Sequence, residues 1–383
     1  MLNKARCSLP LRGQRGHSLT APRSLPLRGQ RGASLTAPLP FMALGMLALL
    51  TALWGGLVRL GWRWPLPWPT LSIAHGPLMV CGFLGTLIGV ERAVALGAFW
   101  PYAAPLLTAV GTLALLTGLP APPLMTLGSL GLVAIFVVIM RRQCALATAT
   151  MALGALLWLV GNAGWLVGWP VPQVVPWWSG FLVLTIAGER LELSRLLRLS
   201  VLHHGLFLLA VSIFLAGLLL LALGWASGGY VTGVGMVALA WWLLQYDMAR
   251  RTIRRTGLTR FIAVCLLSGY AWLGVGGVLT WRFAGILAGP YYDAMLHTVF
   301  VGFVFAMIFG HAPIILPAIL GRTTSPYQPA LYVPLLLLHA SLLLRVVGDL
   351  IGWWPGRQWD GLLNALAVLF FLLTLARELL RGR

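Results

Sequence analysis

The residues in this chain whose types best suit chemistry are histidines set among apolar neighbours. Six of the seven, His75, His203, His204, His297, His311 and His339, fall in or beside apolar runs. An ionisable side chain in a bilayer is expensive, so each is a functional candidate. Against each stands a structural account, an interhelical hydrogen bond or a loop position. Their arrangement says more than any one of them. His75 opens the second apolar run and His297 opens the tenth, which places both in the same half of a membrane at comparable depth. Two neutral imidazoles at matched depth are what bis-histidine haem ligation needs, so His75 and His297 are the expected haem ligands. The haem would be noncovalent, because no CxxCH attachment motif occurs. Beyond His75, the residues Met79, Gly82, Thr86 and Gly89 recur at helical spacing. That stripe admits either a flat macrocycle or a neighbouring helix.

His297 and His311 are fourteen residues apart, about 21 Å along a helix and nearly on one face, too far to hold one metal between them. A second, inner centre of copper or iron is expected from His311, His203, His204, Glu91 and Glu189, since mixed histidine and carboxylate ligands suit iron, copper or zinc. The competing reading makes Glu91-Arg92 and Glu189-Arg190 interfacial ion pairs and leaves the adjacent histidines without a ligand. His339 is the deepest, in the eleventh run, where Arg345 and Asp349, four apart, are expected to pair toward the bundle. Pro313 and Pro317 are expected to end or kink the helix just after His311.

Positioning these groups requires a set of membrane-spanning helices, and composition supplies it. Of 383 residues, 59% are apolar and 9% charged, against about 25% charged in soluble domains. A soluble enzyme, a disordered chain and a fibrous protein are excluded. The apolar runs are roughly 18 to 25 residues long and continuous, without the alternation of a membrane barrel. Twelve are expected, at about 41–60, 71–91, 98–118, 122–140, 144–168, 174–190, 205–224, 226–246, 261–281, 293–312, 329–351 and 361–379. The fold class is therefore all-α, a polytopic membrane protein of about twelve helices.

Net charge +19 does not imply nucleic acid, because seven of the 27 basic residues crowd the first 31 positions and most others abut the ends of apolar runs. With both termini on one side, that side holds fifteen arginines beyond the tail and the other five. Arginine excess marks the cytoplasmic face, so both termini are expected inside. Tryptophans gather on the other face, as an interfacial belt does. The four cysteines are scattered and form neither a disulfide framework nor a zinc ribbon. Residues 1–40 differ from the rest: Ser8–Pro22 recurs as Ser24–Pro38 with His17 replaced by Ala33. Rich in Pro, Gly and Arg, this tail cannot build a core and is expected to be disordered, with Met42 or Met46 as the true start. Residues 41–383 form one membrane domain.

An internal repeat is also expected. Gly82-Phe83 with Ile88 and Glu91, Gly180-Phe181 with Ile186 and Glu189, and Gly302-Phe303 with Ile308 and His311 share one spacing. They fall on every fourth helix, which suggests three four-helix units.

At these residues the chain resembles the polytopic NnrS family, through His75-Gly-Pro-Leu-Met-Val-Cys-Gly-Phe, His297-x4-Gly302, Gly310-His311 and Leu344-Arg345-Val346-Val347. The resemblance implies a twelve-helix protein that binds haem and copper and takes part in bacterial responses to nitric oxide. Glu91-Arg92 after the first block and Ala312-Pro313-Ile314 after His311 depart from the family pattern. More remotely, the layout is similar to the main subunit of haem–copper oxidases, where histidines of the second and tenth helices hold a haem. His203-His204 resembles that family's copper ligands at the seventh helix. The sixth helix, Gly180-Phe-Leu-Val-Leu-Thr-Ile-Ala-Gly-Glu-Arg190, lacks the copper histidine, so proton-pumping oxygen reduction is not implied. The expected role is thus redox handling or nitric-oxide tolerance, with a respiratory electron donor or a terminal oxidase or reductase as partner beside the lipid bilayer. A proton-coupled permease and a non-catalytic assembly factor for a respiratory metalloenzyme are the alternatives. No motif assigns a catalysed reaction.

Overall fold

The computed structural model describes residues 38–68, 70–321 and 326–381. The repeated tail lies outside the described residues except for Pro38. Every expected apolar run is a helix: α1 Leu39–Arg59, α2 Leu71–Leu96, α3 Trp100–Leu116, α4 Pro122–Arg142, α5 Leu146–Leu166, α6 Val171–Leu197, α7 Val201–Ala222, α8 Ser227–Tyr246, α9 Gly257–Arg282, α10 Pro290–Ile319, α11 Pro329–Ile351 and α12 Trp354–Arg381. Eleven are long and apolar enough to cross a membrane, and α3 is shorter. No strand occurs among the described residues. The protein is an all-α, multi-pass membrane protein.

Local chemistry sets the ends. Proline stands in the first turn of α1, α4, α6, α10 and α11, where its missing N–H costs nothing and its fixed φ suits a helix. Gly97 and Gly352 close α2 and α11 at φ 65° and 71°, a left-handed conformation that a side chain disfavours. Two boundaries differ from expectation in ways that bear on the site. Helix α12 starts at Trp354, so Arg357 and Asp360 are helical rather than in a loop. Helix α10 runs through Pro313 and Pro317 to Ile319 and does not end after His311. The carbonyls of Phe309 and Pro313, four residues back from each proline, simply lose their helical donors.

Successive helices pack against each other, and α1 also meets α12, so the bundle closes on itself. The closest approaches use missing side chains, because lipid supplies no hydrophobic drive between helices. At Gly85 a Cβ would lie 2.3 Å from the Trp158 ring; that ring fills the space and stacks on Phe181 at 4.8 Å. Helices α2, α5 and α6 interlock there.

Two π-helical stretches were not anticipated: Leu78–Gly85 in α2 and Thr298–Phe305 in α10. Each ends two residues after the phenylalanine of its Gly-Phe pair. The kinship of α2 and α10 thus extends to the backbone, whereas α6 stays α-helical throughout. The wider turn also breaks the expected stripe from His75 to Gly89, which assumed 3.6 residues per turn. A Cβ on Gly82 would meet Thr112 and Ala48, and one on Gly89 would meet Pro105. Neighbouring helices α1 and α3 fill that face, so it is a packing surface.

Candidate functional site

Two polar clusters lie in the bundle, one at each end of α10. The outer one begins with His75. Its Nδ1 sits 2.7 Å from the carbonyl oxygen of Ala52 in α1. A carbonyl only accepts, so Nδ1 carries the hydrogen and a neutral ring keeps its lone pair on Nε2. Gly56 makes this placement feasible, because a Cβ there would lie 2.9 Å from Nδ1 and Cε1 of the imidazole. His297 repeats the pattern on α10: its Nδ1 donates to the carbonyl of Asp293, one turn earlier, at 2.9 Å. His75 lies four residues after the start of α2 and His297 seven after the start of α10, two helices that enter from the same side. The structure therefore brings His75 and His297 to one end of the bundle.

Around them α10, α11 and α12 are tied by charge. Arg345 Nε donates to Asp293 Oδ2 at 3.0 Å, and its Nη1 donates to Asp360. Arg357 donates to Asp293 Oδ2 at 3.3 Å and pairs with Asp349. Asn364 Nδ2 reaches Asp360 Oδ1 at 3.3 Å and Ser341 Oγ at 3.1 Å. The expected pairing of Arg345 with Asp349 is corrected. One helical turn separates them, but α10 and α12 offer each a better-placed partner. The Arg345 and Asp360 side chains are 5% and 0% exposed, so water does little to screen them.

The inner cluster is a set of cross-helix ion pairs. Arg92 of α2 pairs with its neighbour Glu91 at 3.3 Å and with Glu189 of α6. Arg190 grips Asp247, in the α8–α9 connection, through Nε at 2.9 Å and Nη2 at 3.3 Å. Its Nη1 lies 3.2 Å from His311 Nε2. His311 Nδ1 donates to the Met307 carbonyl at 2.7 Å, so its Nε2 lone pair accepts from the guanidinium and is not left for a metal. Arginine in this position satisfies the histidine while it neutralises the aspartate.

His203 and His204 do not join this cluster. Ser200 N donates to His203 Nδ1 at 3.0 Å in a capping box at the start of α7, and His204 Nδ1 donates to the Ser200 carbonyl at 2.9 Å. The His203 ring rests on Tyr246 at 4.4 Å. The expected inner metal set of His311, His203, His204, Glu91 and Glu189 is thus not assembled: arginines hold the first and last two, and a helix cap takes the middle pair. Among the described residues no group of three or more His, Cys, Asp or Glu could hold a metal ion. His339 accepts from Trp272 Nε1 at 3.1 Å and reaches Ser268 Oγ at 2.9 Å, a satisfied link between α9 and α11.

Sequence reading passed over Asp247, Asp293 and Asp360. The signal was present in their rarity: the chain has eight acidic residues, and each of its four aspartates meets a buried or half-buried arginine. A carboxylate in an apolar helix needs a named partner. Asn162 was also missed; it joins Cys81, Trp178 and the Met125 carbonyl in the bundle interior.

The family model described as "Domain of unknown function (DUF8744)" matches residues 38–379. No curated protein and no solved structure matches the chain.

Proposed function

We propose that this chain, which belongs to the DUF8744 family, is a haem-binding redox protein of a bacterial inner membrane, in which His75 and His297 would hold the haem, with a role in redox handling or nitric-oxide tolerance. One observation carries the reading. Two histidines from separate helices each commit Nδ1 to a backbone carbonyl and, among the described residues, leave Nε2 without a hydrogen-bond partner, at the same end of the bundle. Pinning the far ring nitrogen fixes the tautomer and the ring plane, which is how proteins orient metal-ligating imidazoles. The residues present suit a haem better than a lone polydentate metal site, because two imidazoles would suffice to hold it and the described residues lack the larger donor set of such a site. When bound, haem would supply one-electron chemistry, tuned by the residues that hold it and by nearby charge. Of the chain's own residues, Ala52 and Asp293 orient the rings, Gly56 admits one of them, and Arg345 and Arg357 hold Asp293 in place.

The test is an optical spectrum of the full chain purified from cells supplied with haem. A Soret band that disappears in His75→Ala and His297→Ala, with membrane insertion intact, is the expected result; no Soret band in the parent protein refutes the proposal. A proton-coupled permease is the second reading, favoured by ionisable clusters at both ends of α10. It predicts proton-linked flux in liposomes free of cofactor. The arginine asymmetry supports both termini in the cytoplasm, which tag accessibility in spheroplasts would check.

A further inference from the structure

A basic hollow lies at the inner end of the bundle, where α6 ends, α7 starts and α8 turns toward α9. It is a half-open space of about 210 Å³, walled by Arg198, His203, Tyr246, Asp247, Arg250 and Arg251. A second hollow of about 400 Å³ adjoins it across Arg250 and Arg251 and adds Arg254. The carboxylate in this wall, Asp247, is spent: it is fully buried against Arg190 and accepts from Ala249 N at 2.6 Å. Among the described residues none of Arg198, Arg250, Arg251 and Arg254 forms an ion pair with a carboxylate; Arg250 meets only the neutral amide oxygen of Gln245. Three guanidiniums, of Arg198, Arg250 and Arg251, therefore line the first hollow and Arg254 joins two of them in the second, with no carboxylate free to balance them.

Two further observations point the same way. Arg198 has φ 49°, and among the described residues it is the single non-glycine at positive φ. The backbone there favours glycine, yet the chain spends the position on a guanidinium. Tyr246 also sits in an aromatic group with Trp241 and Trp242, at ring separations of 5.8 and 5.7 Å. Such residues mark headgroup level. We infer that this hollow is a binding site for a phosphate-bearing anion, gripped by the forked donors of Arg198, Arg250 and Arg251, as guanidinium geometry favours for phosphate. The depth suits an anionic phospholipid headgroup, and a free phosphate offers the same chemistry.

The full chain in neutral detergent distinguishes these sources. One arm measures phosphatidylglycerol against phosphatidylcholine retained in native mass spectra. The other measures the melting shift caused by inorganic phosphate against chloride at equal ionic strength. The parent protein should retain phosphatidylglycerol at least roughly tenfold over phosphatidylcholine, the size of one lost charged contact, or else show a phosphate-specific stabilisation. Either response should vanish in Arg250→Gln/Arg251→Gln, weaken but remain in Arg250→Lys/Arg251→Lys, which keeps the charge and loses the fork, and persist in Arg141→Gln/Arg142→Gln, which removes equal exposed charge at the end of α4. Arg198→Gly should weaken binding without lowering the melting temperature. No preference for either probe in the parent protein, or equal loss in the Arg141/Arg142 variant, overturns the assignment.

Discussion

Replacing Arg345 with methionine tests whether the outer charge network is an interlocked unit. Methionine keeps most of the side-chain volume and removes the charge. Arg345 is 5% exposed and serves two carboxylates. After the change, Asp293 keeps Arg357 at 3.3 Å, but Asp360, fully buried, keeps only Asn364 at 3.3 Å among the described residues. Stranding a buried carboxylate costs about 3–5 kcal/mol, roughly two to three and a half powers of ten in the folding equilibrium. Asp360→Asn alone should cost less, about 1–3 kcal/mol, because Arg345 still has Asp293. The double variant Arg345→Met/Asp360→Asn removes the stranded charge as well as its partner. Its cost should therefore fall short of the sum by about 1–3 kcal/mol, the range of directly coupled residues. Reversible unfolding in mixed micelles, followed by tryptophan fluorescence, reads all three variants. A cost below about 1 kcal/mol for Arg345→Met, as for an exposed pair, or strict additivity in the double variant, refutes the account.

Two further substitutions separate positioning from packing. Gly56→Ala adds a Cβ 2.9 Å from the His75 ring in a helix interior where alanine is otherwise favoured by about 0.5–1 kcal/mol. Haem retention should drop to the His75→Ala level while the helix holds, and an unchanged visible spectrum would count against Gly56 as the seat of that imidazole. At the start of α7, His203→Ala should lower thermal stability by about 1 kcal/mol through loss of the capping box. His203→Gln, a residue that serves the same capping position, should restore it, and neither should alter bound metal measured by mass spectrometry.

The membrane fold was legible in the sequence because hydrocarbon imposes it locally: a run of about 20 apolar residues has no way to satisfy its backbone in lipid except as a helix. All twelve runs obeyed, and proline and glycine punctuated several of them as their dihedral limits require. The kinship of α2 and α10 was visible in Gly-Phe spacing, and the placing of His75 and His297 toward one end of the bundle followed from helix order. What each ionisable group would touch was not legible, since it depends on which helices stand side by side. Arg345 and Asp349 satisfied the one-turn rule and still took other partners, because α10 and α12 brought Asp293 and Asp360 closer. Glu91, Glu189 and His311 shared a repeat position and were claimed by Arg92 and Arg190, not by a metal. The π-helical stretches escaped too, for an i to i+5 bond leaves no mark in composition. Where charge could enter the bilayer was settled along the chain itself, a one-dimensional question of solvation. Tertiary structure alone decided how each charge was neutralised, since Coulomb energy in a low dielectric goes to whichever partner lies nearest in space, however far away it is along the chain.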